Sequence, residues 1–201
     1  MRARLLILLV LLVPALAACG SDDDPASGGC EYVEDGTAAK EAKRPPAEPK
    51  SADAVTITTN RGEIKAELTP DAAPCTVGSF VSLAEQDYFD GTKCHRLVPG
   101  FVLQCGDPSA TGTGGPGYSF ADELEGDETY PAGTLAMANA GPDTNGSQFF
   151  IVLSDADLPP SYTVFGRVDD AGLAVAREIE KEGNAADGVN PARDVVIESV
   201  S

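Results

Sequence analysis

Five thiols, at Cys19, Cys30, Cys75, Cys94 and Cys105, and one imidazole, at His95, are the chain's stock of soft ligands and strong nucleophiles. A structural zinc site clusters such groups, typically from a Cys-x-x-Cys pair, and no such pair occurs. Serine hydrolysis needs a histidine free to act as base, yet His95 stands directly beside Arg96 and no second histidine exists. In a strand His95 points to the face opposite Arg96, and it is read as structural, with no general-base role. The run Gly112-Thr-Gly-Gly-Pro-Gly117 has the letters of a dinucleotide fingerprint, but Pro116 and the surrounding loop residues supply neither the strand before it nor the helix after it. No metal and no cofactor are expected.

The first residues read as an export signal. Arg2 and Arg4 precede an apolar run from Leu5 to Leu12 that is short for a bilayer span, and Leu16-Ala-Ala-Cys19 resembles the bacterial lipobox, in which the cysteine receives lipid and becomes the mature N-terminus. The expected organisation is a lipoprotein signal peptide over 1–18, a flexible tether over 19–53 carrying lipid such as palmitate on Cys19, and one folded domain over 54–201. Residues 20–50 are mostly Ser, Asp, Pro, Gly, Ala and Glu, too poor in apolar surface to offset the entropy of ordering. A formal net charge of −18 argues against nucleic acid and against anionic lipid as a partner, so membrane contact is expected through the lipid alone, on the outer face of a bacterial membrane.

Export permits disulfides, and the four cysteines left after Cys19 allow three pairings. Cys94 and Cys105 lie symmetrically about Pro99-Gly100. A two-residue turn would set them face to face, whereas a three-residue turn would move them out of register. Pairing Cys94 with Cys105 is the expectation, leaving Cys30 with Cys75.

These groups must be carried by a β-rich domain. Val55–Thr59 and Glu63–Leu68 alternate around the turn at Asn60-Arg61-Gly62, and further strands are expected at 94–98, 101–105, 134–139, 148–153, 163–168 and 195–200. Pro74 opens a helix over 74–86 whose face is Val77, Phe80, Val81 and Ala84, and a second helix spans 171–181. Eight strands and two helices predict a mainly β fold, a closed eight-stranded antiparallel barrel capped by two α-helices.

Three blocks then resemble the cyclophilin family of peptidyl-prolyl cis-trans isomerases. They are Phe89-Asp-Gly-Thr-Lys-Cys-His-Arg-Leu-Val-Pro-Gly-Phe-Val-Leu-Gln-Cys-Gly-Asp107, Leu135-Ala-Met-Ala-Asn-Ala-Gly-Pro-Asp-Thr-Asn-Gly-Ser-Gln-Phe-Phe-Ile151 and Leu158-Pro-Pro-Ser-Tyr-Thr-Val-Phe-Gly166. The resemblance implies isomerisation of X-Pro bonds in exported proteins, with Arg96 as the catalytic arginine. It implies that Phe101, Val102, Phe150 and Leu158 line a proline pocket, that Gln104, Ala138, Asn139 and Gln148 contact the substrate backbone, and that Tyr162 stands where many members carry a histidine. A monomer binding proline-containing segments is expected; a proline-binding module without turnover is the alternative.

The blocks also depart from the family pattern. The chain has no tryptophan, which implies weak binding of the cyclic peptide cyclosporin, and Val102 is shorter than the methionine common at its position. Cys94 and Cys105 replace residues that are not usually cysteine.

Overall fold

The computed structural model describes residues 29–36 and 38–201. Alternation builds the first hairpin: β2 (Ala54–Thr59) buries Val55, Ile57 and Thr59, and β3 (Gly62–Leu68) buries Ile64, Ala66 and Leu68. α1 (Pro74–Glu85) starts on a proline that has no N–H to leave unpaired, and the Glu123 carboxylate accepts the Cys75 and Thr76 N–H groups, both at 2.8 Å. α2 (Asp170–Lys181) is capped by Asp169, which accepts the Gly172 N–H at 2.6 Å, and it buries Leu173, Ala176 and Ile179 along one face.

The remaining main strands are β4 (Arg96–Val98), β5 (Val102–Cys105), β7 (Thr134–Met137), β8 (Phe149–Val152), β9 (Val164–Val168) and β10 (Ile197–Val200). They join β2 and β3 in one curled antiparallel sheet of eight strands, in the order β10-β2-β3-β9-β7-β8-β5-β4. The expected closed barrel is corrected here: β10 and β4 are the two edges of an open sheet. β4 is only three residues long, and the edges approach ahead of it through an isolated bridge, Lys93 to Val196, with the Cys94 N–H on the Val195 carbonyl at 2.9 Å. A bridge of that size draws the edges together without a ladder to seal them.

The concave face holds the main core, where the Phe80 ring lies 5.0 Å from Phe89, 5.4 Å from Phe149 and 5.2 Å from Phe165. A second, smaller cluster forms on the opposite face from Val102, Tyr130, Ala136, Phe150 and Val152. The two-residue period of β8 divides it between them, Phe149 and Ile151 to one and Phe150 and Val152 to the other.

The tether expected over 19–53 departs from the structure in its described part. Residues 29–36 and 38–53 form a strap against the domain: β1 (Val33–Glu34) pairs with β6 (Tyr118–Ser119), and Cys30 is joined to Cys75 on α1. Tyr32 is buried edge-on against Tyr118 and Phe120, and its hydroxyl donates to the Cys75 carbonyl at 2.8 Å. Pro49 sits where a Cβ on Gly78 would fall 2.1 Å from its ring, so the glycine in α1 makes room for the strap. One buried aromatic, one covalent link and paired backbone supply what the polar composition lacks. The expected signal peptide and Cys19 lie outside the described residues, and no described helix is long and apolar enough to cross a membrane.

Candidate active site

Register brings the candidate residues into one row. Arg96 on β4 pairs with Gln104 on β5, Gln104 with Phe150 on β8, and Phe150 with Ala136 on β7, so four strands present neighbouring side chains on the face away from the main core. Beside this row is a cavity of about 220 Å³. Val102 and Phe150 form its buried floor with Phe101, Leu158 and Tyr162 around them, while Arg96, Gln104, Ala138 and Asn139 complete its polar side.

Hydrogen bonds fix the polar side. An Arg96 Nη1–H donates to Gln104 Oε1 at 3.2 Å, Gln104 Nε2 donates to Gln148 Oε1 at 2.8 Å, and Gln148 Nε2 donates to the Gly114 carbonyl at 3.0 Å. The guanidinium is thereby aimed along the cavity with most of its five donors still available. The apolar side is held by rings: Tyr162 meets Phe150 edge-on at 5.5 Å, and the buried Tyr130 accepts the Tyr162 N–H and donates to the Tyr162 carbonyl.

Two assignments differ in detail from the sequence expectation. Gln148 stands behind Gln104 and lines a neighbouring cavity of about 390 Å³, which also shares Gln104, Ala138 and Asn139. The Asn139 side-chain amide is turned away to the Ser161 carbonyl at 2.8 Å, leaving its main-chain N–H and C=O without a hydrogen bond among the described residues and thus able to meet a peptide backbone.

Behind the row, His95 is buried on the opposite face, and neither ring nitrogen makes a hydrogen bond of good geometry among the described residues, although the Lys93 backbone and Gln148 are near. Burial lowers its pKa below the ordinary 6.5, so the ring is neutral. Asp107 is fully buried; burial would raise its carboxyl, but the Ser109 hydroxyl and the Gly114, Ser109 and Gly112 N–H groups hold it below the usual 3.8. This carboxylate gathers the glycine loop that ends in the Gly114 carbonyl, a function the sequence signalled only as an Asp heading a glycine-rich turn.

The β4–β5 hairpin turns on three residues, Pro99, Gly100 and Phe101, between the paired Val98 and Val102. The ladder then slips, with the His95 N–H bonding the Gln104 carbonyl at 3.0 Å, and Cys94 is joined to Cys105 across the slip.

The model of the cyclophilin type peptidyl-prolyl cis-trans isomerase/CLD family matches residues 54–201. The chain belongs to the cyclophilin family. It is 47% identical over 193 residues to a probable peptidyl-prolyl cis-trans isomerase B of Mycobacterium leprae, covering 85% of this chain but only 65% of that relative's own length. It is 45% identical over 164 residues to peptidyl-prolyl cis-trans isomerase B of Streptomyces anulatus, covering 72% of this chain and 93% of that one. A crystal structure of a Cryptosporidium parvum cyclophilin type isomerase, obtained in the presence of the dipeptide Ala-Pro, superimposes with a TM-score of 0.66 at 34% identity, over 73% of this chain and 96% of its own. A disulfide-linked strap precedes the residues that the family model matches.

Proposed function

We propose that this cyclophilin isomerises X-Pro bonds in exported polypeptides while tethered to the outer face of the cell membrane through lipid on Cys19. The observation that carries the catalytic reading is the Arg96 guanidinium, fixed by Gln104 at the edge of an apolar cavity floored by Val102 and Phe150. The uncatalysed rotation is opposed by amide resonance worth about 18–20 kcal/mol. No bond has to break. As the peptide bond twists, the prolyl nitrogen becomes pyramidal and gains a lone pair, to which Arg96 donates a hydrogen bond while keeping its own proton. That bond exists in the twisted state and not in the planar ground states, which is the condition for catalysis rather than mere binding. Phe101, Phe150, Leu158 and Tyr162 grip the ring, and the free Asn139 main chain holds the flanking residues.

A protease-coupled assay on a proline tetrapeptide tests this reading. Arg96→Ala should lower the rate by about 10²–10³, roughly 2.7–4 kcal/mol, and Arg96→Lys should recover little because an ammonium lacks the planar fork. A rate within about threefold of wild type in a folded Arg96→Ala variant would refute the mechanism and favour a binding module.

The anchor rests on the Leu16-Ala-Ala-Cys19 run after the apolar segment, and export is supported by the two disulfides, which suit an oxidising compartment. Cys19→Ser should abolish metabolic labelling by palmitate and release the protein from membranes; undiminished labelling would remove the anchor.

A further inference from the structure

The loop over 112–117 is glycine at 112, 114, 115 and 117, so its backbone has wide freedom and its order must come from partners. One partner is Asp107, whose buried carboxylate accepts the Gly112 and Gly114 N–H groups. The other is the strap. The Ala39 N–H donates to the Gly115 carbonyl at 3.0 Å, Ala38 bridges to Gly115, and the Asp35 N–H donates to the Gly117 carbonyl at 3.2 Å. The approach needs bare backbone: a Cβ on Gly114 would fall 2.7 Å from the Ala39 Cβ, and one on Gly117 would fall 3.0 Å from that of Ala38. The strap is fastened on both sides of this contact. Ahead of it stand the Cys30–Cys75 link and the buried Tyr32. Behind it the Lys40 ammonium donates to the Asp87 and Tyr88 carbonyls at 2.8 and 2.9 Å, and the Lys43 N–H donates to Gln86 Oε1 at 2.7 Å.

One peptide unit lies between the two partners. Asp107 ties the Gly114 N–H on one side of it and Ala39 ties the Gly115 carbonyl on the other, so the intervening Gly114–Gly115 peptide is oriented from both ends. Its carbonyl is the acceptor for Gln148 Nε2 at 3.0 Å, and from Gln148 the chain of hydrogen bonds runs through Gln104 to Arg96. We propose that Ala38 and Ala39 of the strap are positioning residues for the isomerase: by fixing the Gly114 carbonyl they hold Gln148, then Gln104, and so the Arg96 guanidinium in its working orientation. The proposal rests on the isomerase reading above. Among the described residues no part of the strap lines the Arg96 cavity, so the strap acts on turnover and not on peptide capture. Small displacements of a preorganised donor cost rate steeply, which lets a distant contact of this kind be measured.

Ala39→Pro deletes the N–H that holds the Gly115 carbonyl and adds no charge. On the full chain kcat for a proline tetrapeptide should fall about three- to tenfold, with KM changed by less than about twofold. The decisive comparison is a double-mutant cycle with Gln148→Ala, which cuts the route between loop and Gln104. On that background Ala39→Pro should alter kcat by less than about 1.5-fold. A variant that merely folds poorly loses active molecules and lowers kcat by the same factor on both backgrounds. Where the proline variant does not fold at all, Lys40→Ala removes the neighbouring fastening without touching the backbone, and its loss of about twofold in kcat should likewise vanish on Gln148→Ala. Equal factors on the two backgrounds, or an unchanged kcat in Ala39→Pro, would overturn the positioning role while leaving the isomerase reading standing. If the wild type turns over no peptide, the isomerase reading fails, and the strap is judged by NMR instead. The Gln148 side-chain amide protons should then exchange with water faster in Ala39→Pro than in wild type, and equal exchange would overturn the proposal.

Discussion

In the proposed mechanism Arg96 depends on a side chain that does not itself meet the prolyl nitrogen. Gln104 accepts from its Nη1 and is itself held by Gln148, so the guanidinium is oriented before substrate arrives and need not be ordered during the reaction. Gln104→Ala should therefore lower kcat by about tenfold, which corresponds to about 1.4 kcal/mol, even though the charge of Arg96 is untouched. Phe150→Ala is expected to act differently, because in the proposed mechanism the ring grips proline in both planar states; its main effect should be a rise in KM. Steady-state kinetics of the two variants on one peptide separate these roles, and similar kcat values in both would deny Gln104 its orienting part. Phe150 also shows why its role was hard to read from residue pattern. All four residues of β8 are buried, so no polar alternation marks one face, and only the resemblance of its block placed Phe150 in the groove.

At the scale of elements, helix limits were close to legible: Pro74 marks the start of α1 chemically, and the second helix, expected over 171–181, begins one residue earlier behind its Asp169 cap. The closed barrel was not, because strand count says nothing about whether the end strands pair, and β4 is too short to pair at length. The strap was missed for a related reason: composition averages over a segment, and a single buried Tyr32 with a single disulfide is lost in that average. Its dependence on the covalent link gives a prediction. Replacing Cys30 and Cys75 with serine removes a crosslink between residues 45 apart, a loss of about 2–4 kcal/mol in the entropic account. Tyr32 and the β1–β6 pairing remain, but hydrogen exchange at the Asp35 and Ala39 amides should accelerate far more than at Leu103 in the sheet. Equal protection in the variant and wild type would mean that noncovalent packing alone holds the strap.

The molecule as a whole is strongly acidic, and its interior places a neutral imidazole and a charged carboxylate near one another beneath the active face. These two groups give stability a pH dependence with two separate windows. His95 has a folded pKa below the ordinary 6.5 because burial disfavours its cation. As pH falls through about 6.5 the unfolded chain takes up a proton that the folded chain refuses, so the His95 contribution is full above that value and is lost as pH falls. Asp107 is also depressed, so its contribution is full above the ordinary carboxylate value of 3.8 and is lost only at more acid pH. Between pH 7.5 and 5.5 most carboxylates keep their charge, so the first window belongs mainly to His95. The thermal midpoint of the wild type should decline across that range, and His95→Gln, whatever its midpoint at pH 7.5, should lose that slope. Midpoints by circular dichroism at half-unit steps give the comparison. Parallel curves for the two proteins would show that the imidazole is not held neutral in the fold, and that the decline comes from some other group.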